Sequence, residues 1–254
     1  MTDPVWRARA GTPGDVAEIV SLINAHSRSQ CGEDRVGLGE VRSWFQAPSG
    51  EQEDTMCWFE ADGRMAAFAQ VYKPEFPAAW DALHDAVVHP DRAEDEGLWR
   101  QVLDWCDRYQ WSVLKKAASS DHGLCSGTRI YEGDAVKRAI YESRGFRHVR
   151  NETLMRVALS EAKLTTGAMP EGISVRRMDM DSDLPQYALA YGEAFKDHWG
   201  YSEVPEEDWV VRKKSEFAGW GEMFVPDLWF VAVEGDTIVG SVGSFLDHGN
   251  VKGR

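Results

Sequence analysis

Apolar residues at the start of the chain follow two different spacings. Residues 5–10 read as a short strand, and a turn rich in glycine and proline follows. Val16, Ile19 and Ile23 then recur at helical spacing, with Asp15 in the position of an N-cap. This pattern predicts a strand, a turn and a helix in that order.

Two pairs of apolar segments predict β-hairpins. Residues 56–61 and 65–72 flank Asp62-Gly63, while 228–234 and 238–245 flank Gly235-Asp236. Pairs of Asp and Gly favour tight hairpin turns because they tolerate positive φ angles. The chain is therefore expected to contain at least two antiparallel strand pairs.

The segments between the hairpins predict further helices and strands. The order expected for the first 159 residues is βααβββαβαββ. Besides the first helix, its helices are a short one from Leu38 to Phe45, one from Leu98 to about Tyr109, and one over 135–143. Besides the opening strand and the first hairpin, its strands are 80–88, an extended segment over 111–118, and two strands within 146–159. A polar loop covers 46–55.

The opening pattern returns after a stretch of small residues, Thr165 to Gly172. Residues 173–178 parallel the first strand, and 184–195 parallel the first helix. A helix near 206–217 precedes the second hairpin. The sequence therefore predicts a first module over 1–162, a linker over 163–172 and a partial repeat over 173–254.

Composition and charge narrow the possible functions. With 43% hydrophobic residues the chain has enough apolar material for packed cores. Its 28 Lys and Arg against 42 Asp and Glu give a net charge of −14, which disfavours binding to nucleic acid or anionic membranes. No apolar run is long enough to span a membrane, and the N-terminus is not typical of a signal peptide. We expect a soluble, cytoplasmic protein.

The four cysteines carry no sign of a metal or redox site. Cys31, Cys57, Cys106 and Cys125 are dispersed without a CxxC pair or a nearby pair of histidines. Free thiols and no bound metal are expected.

One motif connects this order of elements to a known family. Tyr141-x-x-x-Gly145-Phe146 follows an amphipathic helix, and Val88-His89-Pro90 joins a strand to the next helix. Together with the duplicated opening, these segments resemble the GCN5-related N-acetyltransferase (GNAT) superfamily. Residues 195–200 and 226–232 look like the second half of tandem enzymes of the mycothiol synthase type. The resemblance implies an α/β fold, a mixed sheet flanked by helices, followed by a partial second module.

The resemblance also implies a donor, an acceptor and a set of site residues. The donor is acetyl-CoA and the acceptor is the amine of a small molecule. Backbone amides near Val87 and Val88 would hold the acetyl carbonyl, and Tyr141 would protonate the departing thiolate. Tyr141 is alternatively a core residue that covers the sheet.

The loop that should bind the pyrophosphate of CoA departs from the family pattern. Arg92, Gly97 and Leu98 match parts of it, but three acidic residues, Glu94 to Glu96, stand where small residues are needed. Carboxylates facing phosphates repel them, so donor binding is expected to be weak or absent.

His84 and Asp85 lie beside the implied acetyl site. Either residue is a candidate for relaying a proton from the amine. Because side chains alternate along a strand, the two should lie on opposite faces of the sheet, and only one can point into the cleft.

The repeat ends early. The first module continues from Pro74 to Leu159 after its hairpin, whereas only Asp247 to Arg254 follow the second hairpin. We expect a second module that stops after its third strand. The apolar strand 238–245 would then be an unpaired edge, which predicts a homodimer through it.

Two functions follow from these observations. The first is acetyl transfer from acetyl-CoA to a small-molecule amine, with weak donor binding. The second is a noncatalytic binding or scaffold protein that keeps the fold and has lost acetyl-CoA. The acidic loop favours the second, and Tyr141 with Gly145 and Phe146 favours the first.

Overall fold

The computed structural model describes residues 6–45, 54–72, 81–117, 125–155, 157, 167–198, 201 and 204–246. Eight strands and six α-helices lie in these ranges. In chain order they are β1 (Arg7–Ala10), α1 (Val16–Cys31), α2 (Leu38–Trp44), β2 (Thr55–Phe59), β3 (Met65–Tyr72), β4 (Asp81–Val88), α3 (Glu96–Ala117), β5 (Cys125–Thr128), α4 (Ala135–Ser143), β6 (Ile173–Arg177), α5 (Leu184–Ala194), α6 (Glu206–Gly219), β7 (Phe224–Glu234) and β8 (Thr237–Phe245).

The first sheet has the order β1-β2-β3-β4-β5. Its first four strands are antiparallel, and β5 runs parallel to β4. One face buries residues of α3 and α4 against the alanine-rich centre of β3 and β4, and the other face buries α1 and α2. The fold is therefore α/β with a mixed sheet flanked by helices, as the sequence predicts.

The second sheet is smaller, with the order β6-β7-β8 and only antiparallel pairs. Helices α5 and α6 cover it through a cluster of aromatic residues. Both predicted hairpins are present. Gly63 and Gly235 have φ angles of 92° and 59°, which the turns require and other residues rarely adopt.

Three sequence predictions differ from the structure. The segment 111–118, expected to be extended, belongs to α3 as far as Ala117. Leu103, Cys106, Gln110 and Leu114 form a buried stripe at helical spacing, so packing continues the helix through this segment. Trp111, at the start of the segment, lies on the exposed side of the helix.

The other two differences concern strands. No strand occurs in the described part of 146–159, where Val149 and Leu154 are exposed and no neighbouring strand offers hydrogen bonds. A strand that was not predicted, β5, occurs instead, because its pairing with β4 overrides the low strand propensity of Cys-Ser-Gly-Thr. Five strands of the first sheet lie in the described residues, whereas the predicted order βααβββαβαββ contains seven; residues 156, 158 and 159 of the last predicted segment lie outside the described residues.

The same kind of ion pair joins the first strand and the first helix of each sheet region. Arg9 at the end of β1 donates two hydrogen bonds of 2.7 and 2.6 Å to Asp15, the N-cap of α1. Arg176 in β6 bonds Asp183, the N-cap of α5, at 2.5 and 2.8 Å. Each pair fixes how a strand enters the helix that follows it. The repeat seen in the sequence is thus also a repeat of specific contacts.

The second half of α1 is anchored to the segment before α2. The side chain of Asn24 donates a hydrogen bond of 2.9 Å to the Val36 carbonyl and accepts from the amides of Arg35 and Val36 at 2.8 and 3.1 Å. These bonds place the next turn of α1, which carries His26, against the loop before α4.

The bond between Arg9 and Asp15 predicts a pH-dependent stability. The Arg9 guanidinium lowers the pKa of Asp15 from 3.8 to about 2. A lowered carboxyl pKa contributes stability above the pKa of the unfolded state, and this is lost as the pH falls through the folded-state pKa. We expect Asp15→Asn to reduce the free energy of unfolding by about 2 kcal/mol at pH 7 and by about half of that near pH 3.

Urea unfolding of both proteins at several pH values measures this difference. Asp227→Asn is the control, because Asp227 and its partner Arg177 are both largely exposed, and its effect should stay below about 0.5 kcal/mol. A loss for Asp15→Asn that is the same at pH 7 and pH 3 would contradict the assignment.

Candidate functional site

The C-terminal half of β4 has an open edge. Strand β3 pairs with β4 from Leu83 to Val88, but β5 pairs only with Asp81 to His84. Among the described residues, no strand continues along β4 after Thr128 of β5. The sheet is therefore split at this point.

Main-chain groups point into the split. The amide of His89 bonds the Ala66 carbonyl of β3 at 2.8 Å. Because main-chain groups alternate between the two edges of a strand, the amides of Asp85 and Val87 also face β3, and those of Ala86 and Val88 face the open edge. Of the two predicted carbonyl-binding residues, Val88 presents its amide to the split, while the amide of Val87 is turned toward β3.

A buried lysine stands where the ladder would continue. Lys137 of α4 is 4% exposed, and its Nζ donates a hydrogen bond of 3.0 Å to the carbonyl of Arg129, one residue after β5. In a continuing parallel ladder that carbonyl would accept from the amide of Ala86. Burial lowers the pKa of Lys137, and the charges of Asp85 and Asp134 oppose this shift. The carbonyl of Arg129 therefore bonds a side chain of α4, where in a continuous sheet it would bond the main chain of β4.

His84 and Tyr141 form a buried pair beside the split. His84 Nε2 and the Tyr141 hydroxyl lie 2.8 Å apart, and the two rings stack with centroids 5.5 Å apart. Phe146 packs edge-on against both rings. Each of the pair is 1% exposed. The structure therefore brings together two residues that the sequence analysis names separately as site candidates, and it also shows the core packing that the alternative interpretation of Tyr141 requires.

Both members of this pair are uncharged near neutral pH. Burial and the charge of Lys137 lower the pKa of His84 to about 3. Burial raises the pKa of Tyr141 well above 10. Tyr141 therefore keeps its proton, as an acid for a thiolate must, and His84 holds the hydroxyl as a neutral hydrogen-bond partner.

Asp85 lies on the opposite face of the sheet, as alternation requires. It accepts a hydrogen bond of 2.9 Å from the Tyr72 hydroxyl. Burial alone would lower the pKa of Arg129, but the negative charge of Asp85 helps to raise it. His84 and Asp85 consequently do not form one catalytic group.

The loop between β4 and α3 is closed by its own side chains. Asp95 accepts a hydrogen bond of 2.8 Å from the amide of Leu98, which is otherwise a free donor at the start of α3. Arg92 bonds Glu60 at 3.1 Å and is partly exposed. Gly97 lies inside the first turn of α3, and Leu98 is buried. The helix N-terminus is therefore already occupied by a carboxylate from within the chain.

A cavity of about 210 Å³ adjoins the open end of β4. Sequence reasoning identified none of its polar residues, which come from the second half of α1 and from the N-cap of α4. Only Asp134 left a signal, as a helix-capping residue before Ala135. The cavity is lined by His26, Ser29, Gln30, Val88, Pro90, Ala93, Trp99, Asp134 and Val136.

The described residues contain no cluster of three or more metal-ligating side chains and no helix that is long and apolar enough to cross a membrane. All four cysteines are free; Cys57 and Cys106 are buried, and Cys31 and Cys125 are exposed.

No protein-family model matches the sequence, and no curated protein matches it. Among solved structures, a GCN5-related N-acetyltransferase from Sphaerobacter thermophilus has a TM-score of 0.73 at 22% identity and covers 96% of this chain and 72% of its own. An N-acetyltransferase from Staphylococcus aureus Mu50 reaches a TM-score of 0.43 at 17% identity, with 57% of this chain and 86% of its own covered. An acetyltransferase of the GNAT family from Streptococcus pneumoniae reaches 0.42 at 16% identity, with 56% and 83% covered. Because the first of these likenesses extends over nearly the whole chain, the chain has the fold of the GCN5-related N-acetyltransferases.

Proposed function

We propose that this protein is an N-acetyltransferase that moves an acetyl group from acetyl-CoA to the amine of a small molecule. The observation that carries this proposal is the open half of β4. In a GNAT fold, the amides of Ala86 and Val88 face a split in the sheet beside a cavity, where they can bind the oxygen of a reacting carbonyl.

Each nearby residue has a role in this proposal. The amides of Ala86 and Val88 stabilise the negative charge that develops on the carbonyl oxygen. Tyr141 is the acid for the departing thiolate, and His84 orients its hydroxyl through the bond of 2.8 Å. Acetyl-CoA supplies the activated acetyl group.

The site fits one end of the donor better than the other. The open edge offers main-chain groups to the acetyl end. At the other end, the N-terminus of α3 is capped by Asp95, and Glu94 and Glu96 are exposed beside it. One carboxylate about 5 Å from one phosphate charge costs about 1.7 kcal/mol at an effective dielectric of about 40. Weak donor binding is therefore part of the proposal.

A noncatalytic role is the second candidate, and two observations favour it. The Tyr141 hydroxyl is buried and bonded within the protein, and Asp95 takes the place of an anionic ligand. A GNAT fold with these features serves as a binding or scaffold protein if the donor no longer enters.

We also propose that residues 1–162 and 173–254 are two GNAT-like modules joined by a linker over 163–172. The matching Arg–Asp pairs at the start of each module support this division. The second module would be the partner of the first in a tandem arrangement of the mycothiol synthase type, and the protein would act in the cytoplasm.

Calorimetry with acetyl-CoA tests the acidic loop. The variant Glu94→Gly/Glu96→Gly should bind acetyl-CoA at least tenfold more tightly than the wild type, whose affinity should lie near the millimolar range. Glu171→Gly removes an exposed acidic residue from the turn before β6 of the second sheet and should change nothing. Micromolar binding by the wild type would overturn the role of the loop. Binding by neither protein would favour the scaffold.

Tyr141→Phe tests the acid. We expect kcat to fall roughly 100-fold, with an unchanged Kd for acetyl-CoA, because the phenol acts on the leaving thiolate and not on the bound donor. A thiol-release assay and calorimetry on the same samples separate the two effects. An unchanged kcat would exclude Tyr141 as the acid.

We further propose that the chain associates through β8. This strand contains no charged residue, and Val239, Val242 and Phe245 are exposed on it. Unpaired apolar edges favour pairing with another chain.

Sedimentation at increasing concentration tests this association. We expect the wild type to dimerise and Val242→Lys to remain monomeric, since an edge lysine opposes strand pairing. Val211→Lys, at an equally exposed valine of α6, is the control and should still dimerise. A wild-type monomer at every concentration would refute the proposal.

A further inference from the structure

Three polar residues lie side by side across the first sheet. Gln70 of β3 is directly opposite Asp85 of β4 in the antiparallel ladder. His84 pairs with Thr128 in the parallel ladder, so Arg129 comes next beside Asp85, where the two strands separate. Residues paired directly across a ladder share one face of the sheet. Gln70, Asp85 and Arg129 are called the polar row below.

The polar row and the pair of His84 and Tyr141 lie on opposite faces of the sheet, because His84 and Asp85 are consecutive in β4. Asp85 also directly precedes Ala86, whose amide faces the open edge. None of the three residues lines the cavity at the C-terminal end of β4, which lies between the two ends proposed for acetyl-CoA. A second substrate on the polar row would therefore be next to the acetyl group without entering the space of the donor.

Two oxygen atoms of the polar row are available to a ligand. Asp85 accepts its hydrogen bond from Tyr72 through Oδ2, and its Oδ1 accepts none from a described residue. Oε1 of Gln70 is buried and has no donor. Buried acceptors are normally hydrogen-bonded, so a donor is expected from outside the chain. A primary ammonium group carries three N–H donors and can serve both oxygens.

The third residue of the polar row carries a positive charge. Arg129 uses Nε to bond Glu152 at 3.0 Å, and its Nη groups bond no described residue. Its side chain is 58% exposed. The charge of Asp85 helps to raise the pKa of Arg129, which agrees with their proximity, yet no ion pair joins the two. A guanidinium with free Nη groups suits a carboxylate.

We propose that the polar row is the acceptor site and that the acceptor is a small amino acid, whose ammonium group is bound by Asp85 and Gln70 and whose carboxylate is bound by Arg129. This proposal rests on the proposed acetyl transfer and adds the class of acceptor. Neighbouring strands lie about 4.8 Å apart, and β4 and β5 diverge beyond His84 and Thr128. A ligand with both charged groups on one carbon can bridge neighbouring side chains at this spacing.

Binding is tested without activity, by NMR with three ligands of one carbon skeleton. L-2-Aminobutyrate has both groups, n-propylamine lacks the carboxylate, and butyrate lacks the amine. The signal to follow is the ¹⁵N-labelled side-chain amide of Gln70, which Gln70→Leu identifies by its loss. The Kd of 2-aminobutyrate should be at least about tenfold below those of the other two ligands. Equal Kd values for amino acid and amine, or no shift with 2-aminobutyrate up to its solubility limit, would overturn the proposal.

Variants assign the two charged groups. Arg129→Gln should weaken binding of 2-aminobutyrate at least about tenfold and leave n-propylamine unchanged, because the amine has no group for Arg129. Asp85→Asn should weaken both ligands. Arg177→Gln is the control, since Arg177 is an exposed arginine of the second sheet that also bonds one carboxylate. Wild-type affinity of Arg129→Gln for 2-aminobutyrate would overturn the role of Arg129.

Activity with acetyl-CoA tests whether the bound amino acid is the acceptor. The wild type should have a kcat/KM for 2-aminobutyrate at least about tenfold above that for n-propylamine, and Arg129→Gln should bring the ratio close to one. Arg177→Gln should keep the wild-type ratio. A wild-type ratio in Arg129→Gln would contradict the proposed acceptor class.

The two experiments separate this proposal from the proposed function. If 2-aminobutyrate binds with the expected dependence on Arg129 but no amine is acetylated, acetyl transfer fails and the amino-acid site stands. If the wild type acetylates n-propylamine as well as 2-aminobutyrate, and Arg129→Gln changes neither rate, acetyl transfer stands and the amino-acid site is wrong.

Discussion

The separation of β4 and β5 is the feature on which the candidate site depends. After Thr128 the two strands diverge, and Lys137 takes the carbonyl of Arg129 that would otherwise continue the ladder. A lysine is buried in this position at the cost of desolvation, which its lowered pKa reflects. The result is a half-strand whose amides at Ala86 and Val88 face an open edge, with a cavity beside them. Burial, and after it the charge of Lys137, lowers the pKa of both nearby histidines.

Burial is the main cause of the lowered pKa of both histidines near the split, and Lys137 adds to it. His84 serves Tyr141 as a neutral partner, and His26 lines the cavity with a pKa that is also lowered. On the other side of the split, the N-terminus of α3 is neutralised by Asp95 from within the chain. The part of the site proposed to bind the acetyl group is thus open. The part proposed to bind the phosphates already has a carboxylate bonded to it. The proposed enzyme would therefore keep the groups for acetyl transfer and bind its donor weakly.

Local signals in the sequence were sufficient for the hairpins and for α4, because turns of Asp and Gly and a strong amphipathic pattern act over a few residues. They do not predict the secondary structure of segments that is determined by packing against distant parts of the chain. The run beginning at Trp111 looked extended, yet Leu114 completes a buried helical stripe. The tetrapeptide of β5 has no strand pattern and is a strand only because β4 lies beside it.

The site residues also divide into those that local patterns identify and those that depend on distant contacts. Tyr141 was identified from a short motif, and His84 from its position before the strand end. His26 and Asp134 are more than a hundred residues apart, and their contact of 3.4 Å depends on how α1 packs in the fold, which no local pattern predicts. Alternation along β4 placed His84 and Asp85 on opposite faces correctly, but which main-chain amides face the split depends on the pairing with β3.

Hydrogen exchange at single amides of β4, followed by NMR, tests the open edge most directly. In the free protein, the amides of Ala86 and Val88 should exchange much faster than those of Asp85 and Val87, which bond β3. Saturating acetyl-CoA should protect Ala86 and Val88 and leave the other two unchanged. Equal protection of all four amides in the free protein, or no effect of acetyl-CoA on Ala86 and Val88, would contradict the assignment of this edge as the acyl site.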